Sequence, residues 1–183
     1  MPRTKYPLTT AQEKELWRLS RFYWREAQRC DTAKGYLAGC AMLGSAIECA
    51  LILFTNVYFD EAFKTQTATK KKLGTKPLLK WSLADLIDVA REANWLKSGL
   101  KPGSRFRNQK RDKIGDYVDL LRSVRNLIYP SRYAQDHRGK RVTKKYFDHC
   151  GEILGLARDC LEEKIHADLW PILMPGIPRG SRA

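Results

Sequence analysis

The residues best suited to chemistry lie in the segment LRSVRNLIYP at positions 121–130. On a helix that turns by about 100° per residue, Arg122, Arg125, Asn126 and Tyr129 share one narrow sector of the surface. Guanidinium groups bind phosphate oxygens through paired hydrogen bonds, and an amide or a phenol can donate further ones. The spacing therefore predicts a phosphate-binding cluster at the C-terminal end of one helix.

The same arginines also have a structural interpretation. Positive side chains near the C-terminal end of a helix are stabilised by the helix dipole. Glu48 is the only formally charged residue between Gly35 and Phe59, and it lies on an apolar stripe, where a buried carboxylate needs a partner. We therefore expect at least one of Arg122 and Arg125 to have a structural role, with Glu48 as the candidate partner. Such pairing leaves the other arginine for phosphate.

Basic charge is concentrated around this segment. The 183 residues include 34 Lys+Arg and 20 Asp+Glu, a net charge of +14. Residues 64–145 contain 22 of the basic and 7 of the acidic residues, so this stretch accounts for the whole excess. The pattern favours an acidic partner such as nucleic acid, although solvated basic loops produce it too. The candidate phosphate contacts are Arg122, Arg132, Arg138, Lys140, Arg141, Arg105 and Arg107.

The elements that must position these residues are helices. Apolar residues recur at helical spacing, which predicts an all-α fold, an up-down bundle of four main helices plus a shorter one. The predicted helices cover residues 10–30, 31–63, 85–96, 112–128 and 143–169, with caps at Asp31-Thr32, Ser82 with Asp85, and Thr143, and with Pro130 ending the fourth. We expect one domain over residues 1–170, followed by a proline-rich tail at 171–183.

Several classes of site and location are disfavoured. The five cysteines lack the spacing of a zinc site, and the chain has no P-loop, dinucleotide-binding glycine pattern or nucleophile elbow, so we expect no metal and no cofactor. Residues 1–10 lack the apolar region of a signal peptide, which favours a cytoplasmic location. Residues 35–59 are long enough to span a bilayer, but the central Glu48 favours a buried helix, and we expect no membrane contact.

The segments AGCAMLGSAIE at 38–48 and LRSVRNLIYP at 121–130 together resemble the HEPN-like superfamily. The resemblance spans roughly residues 16–161. It implies an all-α bundle of the kind found in prokaryotic defence, toxin–antitoxin and mobile-element proteins, which often form homodimers. Active members are metal-independent endoribonucleases, whose motif is an Arg, a polar residue and a nearby His.

Under this resemblance, Arg125 and Asn126 match the Arg-polar pair, and Arg122 is an alternative arginine. Tyr129 stands where the family has its His, and a phenol is a weak base near neutral pH. His137 could substitute from the following loop. The hypothesis is a noncatalytic module that binds RNA or a nucleotide. The alternatives are an endoribonuclease that uses Arg125 and Asn126 with Tyr129 or His137, and a dimerising structural protein that binds a protein partner.

Overall fold

The computed structural model describes residues 7–96, 114–137 and 141–173, and all regular secondary structure in these ranges is helical. The α-helices are α1 (Thr10–Thr32), α2 (Tyr36–Val57), α3 (Phe59–Phe63), α4 (Gln66–Lys70), α5 (Leu83–Glu92), α6 (Ile114–Arg125), α7 (Pro130–Arg132) and α8 (Lys144–Leu173). Short 3-10 turns cover Leu73–Thr75, Leu78–Lys80 and Asn126–Ile128, and a π-helical turn covers Tyr133–His137. The predicted all-α bundle is confirmed.

Helix α2 is the centre of the bundle because it is apolar on nearly every side. It packs against α1, α5, α6 and α8. Leu43, Ile47 and Leu51 are each at most 1% exposed. The helix is also long and apolar enough to cross a bilayer, with a mean hydropathy of 2.0 over its most apolar window, but 61% of that window is buried. Burial on this scale is typical of a core helix.

The two long neighbours of α2 have fixed directions. Helix α1 is antiparallel to it, since Asn56 near the end of α2 donates a 2.7 Å hydrogen bond to Glu13 near the start of α1. Helix α8 is parallel to it: Phe147 lies against Gly39 at one end, and the ammonium of Lys164 lies 4.6 Å from the ring centre of Tyr58 at the other. In an up-down bundle of four helices, the second and the fourth helix run parallel, as α2 and α8 do here.

Two glycines allow other helices to approach α2 closely. A Cβ atom on Gly39 would lie 2.6 Å from the ring of Phe147 on α8. A Cβ atom on Gly44 would lie 2.8 Å from the Cβ of Arg125 and 3.1 Å from the backbone oxygen of Leu121, both on α6. Because a carbonyl oxygen in a helix cannot swing away as a side chain can, α6 could not lie at this distance if position 44 carried a side chain.

The predicted cap of α5 is confirmed. The hydroxyl of Ser82 accepts a hydrogen bond from the backbone N–H of Asp85, and the Asp85 carboxylate accepts one from the backbone N–H of Ser82. Burial opposes ionisation of Asp85, but hydrogen bonds from Lys71 and Ser82 outweigh it, and the pKa of this carboxyl falls below its ordinary value. Thr143 accepts a hydrogen bond from the backbone N–H of Tyr146, as a cap of α8 does.

The boundary between the first two helices differs from the prediction. The predicted cap at Asp31-Thr32 is wrong, because α1 continues through both residues. Lys34 takes a left-handed backbone conformation with φ of 58°, and Gly35 precedes α2 without any side-chain cap. The predicted helix 31–63 is also divided, because Tyr58 leaves helical geometry between α2 and α3.

Three segments separate the predicted helices from residue 64 onward, and two of them contain helical turns. The basic stretch after residue 63 contains α4 and two 3-10 turns. Residues 131–142, predicted as loop, begin with the end of α7 and a π-helical turn. The predicted loop 97–111 lies outside the described residues.

Two proline-based boundaries also shift. Pro130 is the first residue of α7 as well as a stop, a position where its missing N–H is harmless. Helix α8 continues through Pro171 to Leu173, so the first three residues of the predicted tail are helical, and residues 174–183 lie outside the described ranges.

Gly44→Ala tests the close approach of α6 to α2. The added methyl group has to displace the α6 backbone, so we expect a loss of about 1–3 kcal/mol in the free energy of unfolding. Gly155→Ala on α8 is the matched control, because a Cβ there meets nothing within 4 Å. We expect this control to gain about 0.5–1 kcal/mol from helix propensity. Urea denaturation measures both; equal gains would show that the two helices do not meet at position 44.

Candidate phosphate-binding site

The C-terminal end of α6 is held against α2 by its apolar face. Leu121, Val124 and Leu127 are buried in the core, at most 5% exposed. Their burial places Arg125 beside Gly44, where the side chain of the arginine lies along the surface of α2. Core packing therefore sets the position of Arg125.

Arg125 forms a two-pronged ion pair with Glu48. Its Nη1 donates to Oε1 at 3.0 Å, and its Nη2 lies 2.9 Å from Oε2. The side chains are 31% and 22% exposed, so the pair is largely removed from water. Paired guanidinium–carboxylate hydrogen bonds are among the stronger polar contacts in proteins. Glu48 thus has the arginine partner considered from the sequence, and both terminal nitrogens of Arg125 are occupied by a carboxylate.

Arg122 is directed to a different carboxylate. Its Nε donates a 2.7 Å hydrogen bond to Asp119, three residues earlier on the same helix. This hydrogen bond raises the pKa of the Arg122 guanidinium further above its ordinary value, and burial opposes the rise. The side chains of the pair are 33% and 41% exposed. The two arginines that share one helical sector are therefore each neutralised by a separate acid.

The residues after Arg125 leave the α-helix. Asn126 begins a 3-10 turn and is half-buried, while Tyr129 has an extended backbone and is 58% exposed. The helical wheel assumed a continuous α-helix through position 129. Because the backbone forms a 3-10 turn after Arg125 and is extended at Tyr129, the phenol does not lie in the helical sector of Arg122 and Arg125 that the spacing predicted.

The structure describes the side chains of only two of the neighbouring basic candidates. Arg132, the last residue of α7, and Arg141, just before α8, are both exposed. His137 is the last residue of the π-helical turn, and its side chain is not among those described. The candidate contacts Arg138, Lys140, Arg105 and Arg107 lie outside the described residues.

The described residues contain no group of three or more His, Cys, Asp or Glu side chains that could hold a metal ion. The five cysteines are free thiols, and four of them are buried. Burial, with Glu48 next to it, raises the pKa of Cys49 to about 11. A hydrogen bond with Cys40 and burial strongly raise the pKa of Cys150. Cys49 and Cys150 are therefore poor nucleophiles.

Sequence reasoning missed Asp119 as the partner of Arg122. Its spacing of three residues before an arginine on a predicted helix was a usable signal.

No protein-family model matches the sequence, and no curated protein or solved structure matches it either.

We expect the two arginines to differ in their contribution to stability. Arg125→Ala leaves the Glu48 carboxylate largely buried without its partner, which costs about 2 kcal/mol in the free energy of unfolding. Arg122→Ala removes a more exposed pair within one helix, whose acid Asp119 is 41% exposed, which costs about 0.5 kcal/mol or less. Urea denaturation of both variants, and of Glu48→Gln with and without Arg125→Ala, measures the coupling. Equal losses from the two arginine variants, with no coupling between Glu48 and Arg125, would contradict the structural role.

Proposed function

We propose that this protein is a noncatalytic HEPN-like helical module that binds RNA through the basic surface around the C-terminal end of α6. The observation that carries the proposal is the charge distribution. Residues 64–145 hold 22 Lys+Arg against 7 Asp+Glu, while the rest of the chain is nearly neutral. A basic excess concentrated in one part of a chain supports phosphate binding there.

Exposed apolar and aromatic groups accompany the basic side chains at this end of α6. Tyr129 is 58% exposed and Ile128 is 50% exposed, and Arg132 follows them on the surface. Aromatic side chains beside arginines bind single-stranded nucleic acid by stacking on bases while the charges contact phosphates. This combination favours RNA with unpaired bases over a simple polyanion.

The ion pairs favour binding over cleavage. An endoribonuclease of this kind needs an arginine free to stabilise a phosphate and a group that exchanges protons near neutrality. Here both terminal nitrogens of Arg125 contact Glu48, and Tyr129 stands at the expected position of the histidine. Release of Arg125 would leave the Glu48 carboxylate without its partner.

The HEPN-like assignment belongs to the same proposal. The segments that carry the resemblance, 38–48 and 121–130, pack directly against each other through Gly44, Glu48, Leu121 and Arg125. Contact between the two segments supports a shared structural unit. A homodimer in the cytoplasm that serves a prokaryotic defence or mobile-element system is the biological setting that goes with this assignment.

RNA binding is tested by titrating a fluorescent single-stranded RNA at several salt concentrations in EDTA. We expect affinity to fall steeply with salt, because each phosphate contact releases counterions. The double variant Arg132→Gln/Arg141→Gln should lower the slope of log K against log salt by about 1.4, at about 0.7 per lost contact. The matched control Arg18→Gln/Arg29→Gln removes the same charge from α1, where each arginine pairs with a glutamate three residues earlier. We expect its slope to match the unmodified protein.

Three results would overturn the proposal. The first is a lack of binding at low salt, and the second is an equal effect of the two double variants. The third is cleavage of the RNA in EDTA that disappears in Arg125→Ala, which would make the protein an endoribonuclease.

A further inference from the structure

A groove runs between α1 and α8 on the outer face of α2. Its volume is about 540 Å³, within the range of about 300–1,000 Å³ typical of small-molecule sites. Leu53, Phe54 and Val57 of α2 form the floor, with Trp17 of α1 and Ile165 of α8 on the walls. No lining residue falls within 64–145, so the groove is separate from the surface proposed for RNA.

The groove exposes large apolar side chains. Trp17 is 60% exposed and Val57 is 68% exposed, while Leu53 and Phe54 beneath them are at most 8% exposed. An apolar strip of this kind, bordered by charges, is the usual surface of a binding site. The strip follows α1 from Glu13 to Arg25, about 18 Å of helix, which suits an elongated ligand.

Charge is distributed unevenly along the groove. Arg21 and Arg25 are one turn apart on α1, and both line it. No carboxylate stands three or four residues from either on α1, whereas Arg18 and Arg29 each pair with a glutamate three residues earlier. Like charges at this spacing repel each other, so an anion between them would be stabilising.

The arginines gather at one end of the groove. Because α1 is antiparallel to both α2 and α8, Arg21 and Arg25 lie toward the end where Arg158 of α8 also lines it. Glu162, one turn further along α8 toward Ile165, also lines the groove and lies 3.5 Å from Arg158. The opposite end is formed by Trp17, Val57 and Ile165, and Glu13 there accepts a hydrogen bond from Asn56.

We propose that this groove binds a free single-chain anionic amphiphile, such as a fatty acid. The hydrocarbon chain lies along Leu53, Phe54 and Trp17, and the head group contacts Arg21 and Arg25. The positive end and the apolar end match the two parts of such a molecule. Burial of the exposed apolar strip supplies the affinity, and the arginines set the orientation.

The test is a titration of the full chain with monomeric dodecanoate, followed by calorimetry and tryptophan fluorescence. We expect saturable binding with one molecule per chain, and much weaker binding of the cationic dodecyltrimethylammonium. Arg21→Gln/Arg25→Gln should weaken dodecanoate binding by about tenfold or more, because two charge-assisted contacts are lost. Val57→Asp, at an exposed position, should also weaken it by placing a carboxylate in the path of the chain. The matched control Arg18→Gln/Arg29→Gln should bind as the unmodified protein does.

Four outcomes would overturn the proposal. They are no saturable binding of dodecanoate, equal binding of the cationic amphiphile, equal affinity of the two double arginine variants, and binding only to vesicles of anionic phospholipid. Sedimentation of Trp17→Ala addresses a second copy of the chain as occupant. If that variant dissociates a dimer and dodecanoate does not compete with dimerisation, the groove is an interface between copies. The RNA titration uses other residues, so either proposal can fail while the other stands.

Discussion

The approach of α6 to α2 at Gly44 is the constraint on which the rest of the structure depends. Because position 44 carries no side chain, the backbone of α6 can come close enough for Arg125 to reach Glu48 one turn further along α2. That ion pair satisfies the single carboxylate of an otherwise uncharged helix. Without it, the central helix would hold a largely buried charge, which is costly to leave unpaired. The packing of α6 against α2 and the pairing of Arg125 with Glu48 thus follow from one close contact.

Much of the fold is readable from local patterns, and the rest is set by distant contacts. The all-α class and the Ser82–Asp85 cap depend on neighbours in sequence, so spacing predicts them. The change to a 3-10 turn after Arg125 is absent from a helical wheel, which assumes one geometry throughout. That change is why Asn126 and Tyr129 do not continue the α-helix of Arg122 and Arg125.

The candidate site shows the same division. The position of Glu48 as the single charge on an apolar stripe predicts an arginine partner. The choice of Arg125 depends on how α6 packs against α2. The groove of Trp17, Arg21 and Arg25 was not visible, since it exists only where α1 and α8 flank α2 without closing over it. The spacing of the two arginines was present in the sequence, yet only the structure places an apolar floor beside them.

We propose that Arg125 serves the fold and that other arginines bind phosphate. Side-chain ¹⁵N spectra of the arginines, recorded with and without single-stranded RNA, test it most directly. We expect the Arg125 Nη signals to show restricted rotation that Glu48→Gln removes, and to stay in place when RNA shifts those of Arg132 and Arg141. Arg125 signals that rotate freely, or that move with RNA while Arg132 and Arg141 do not, would contradict the account.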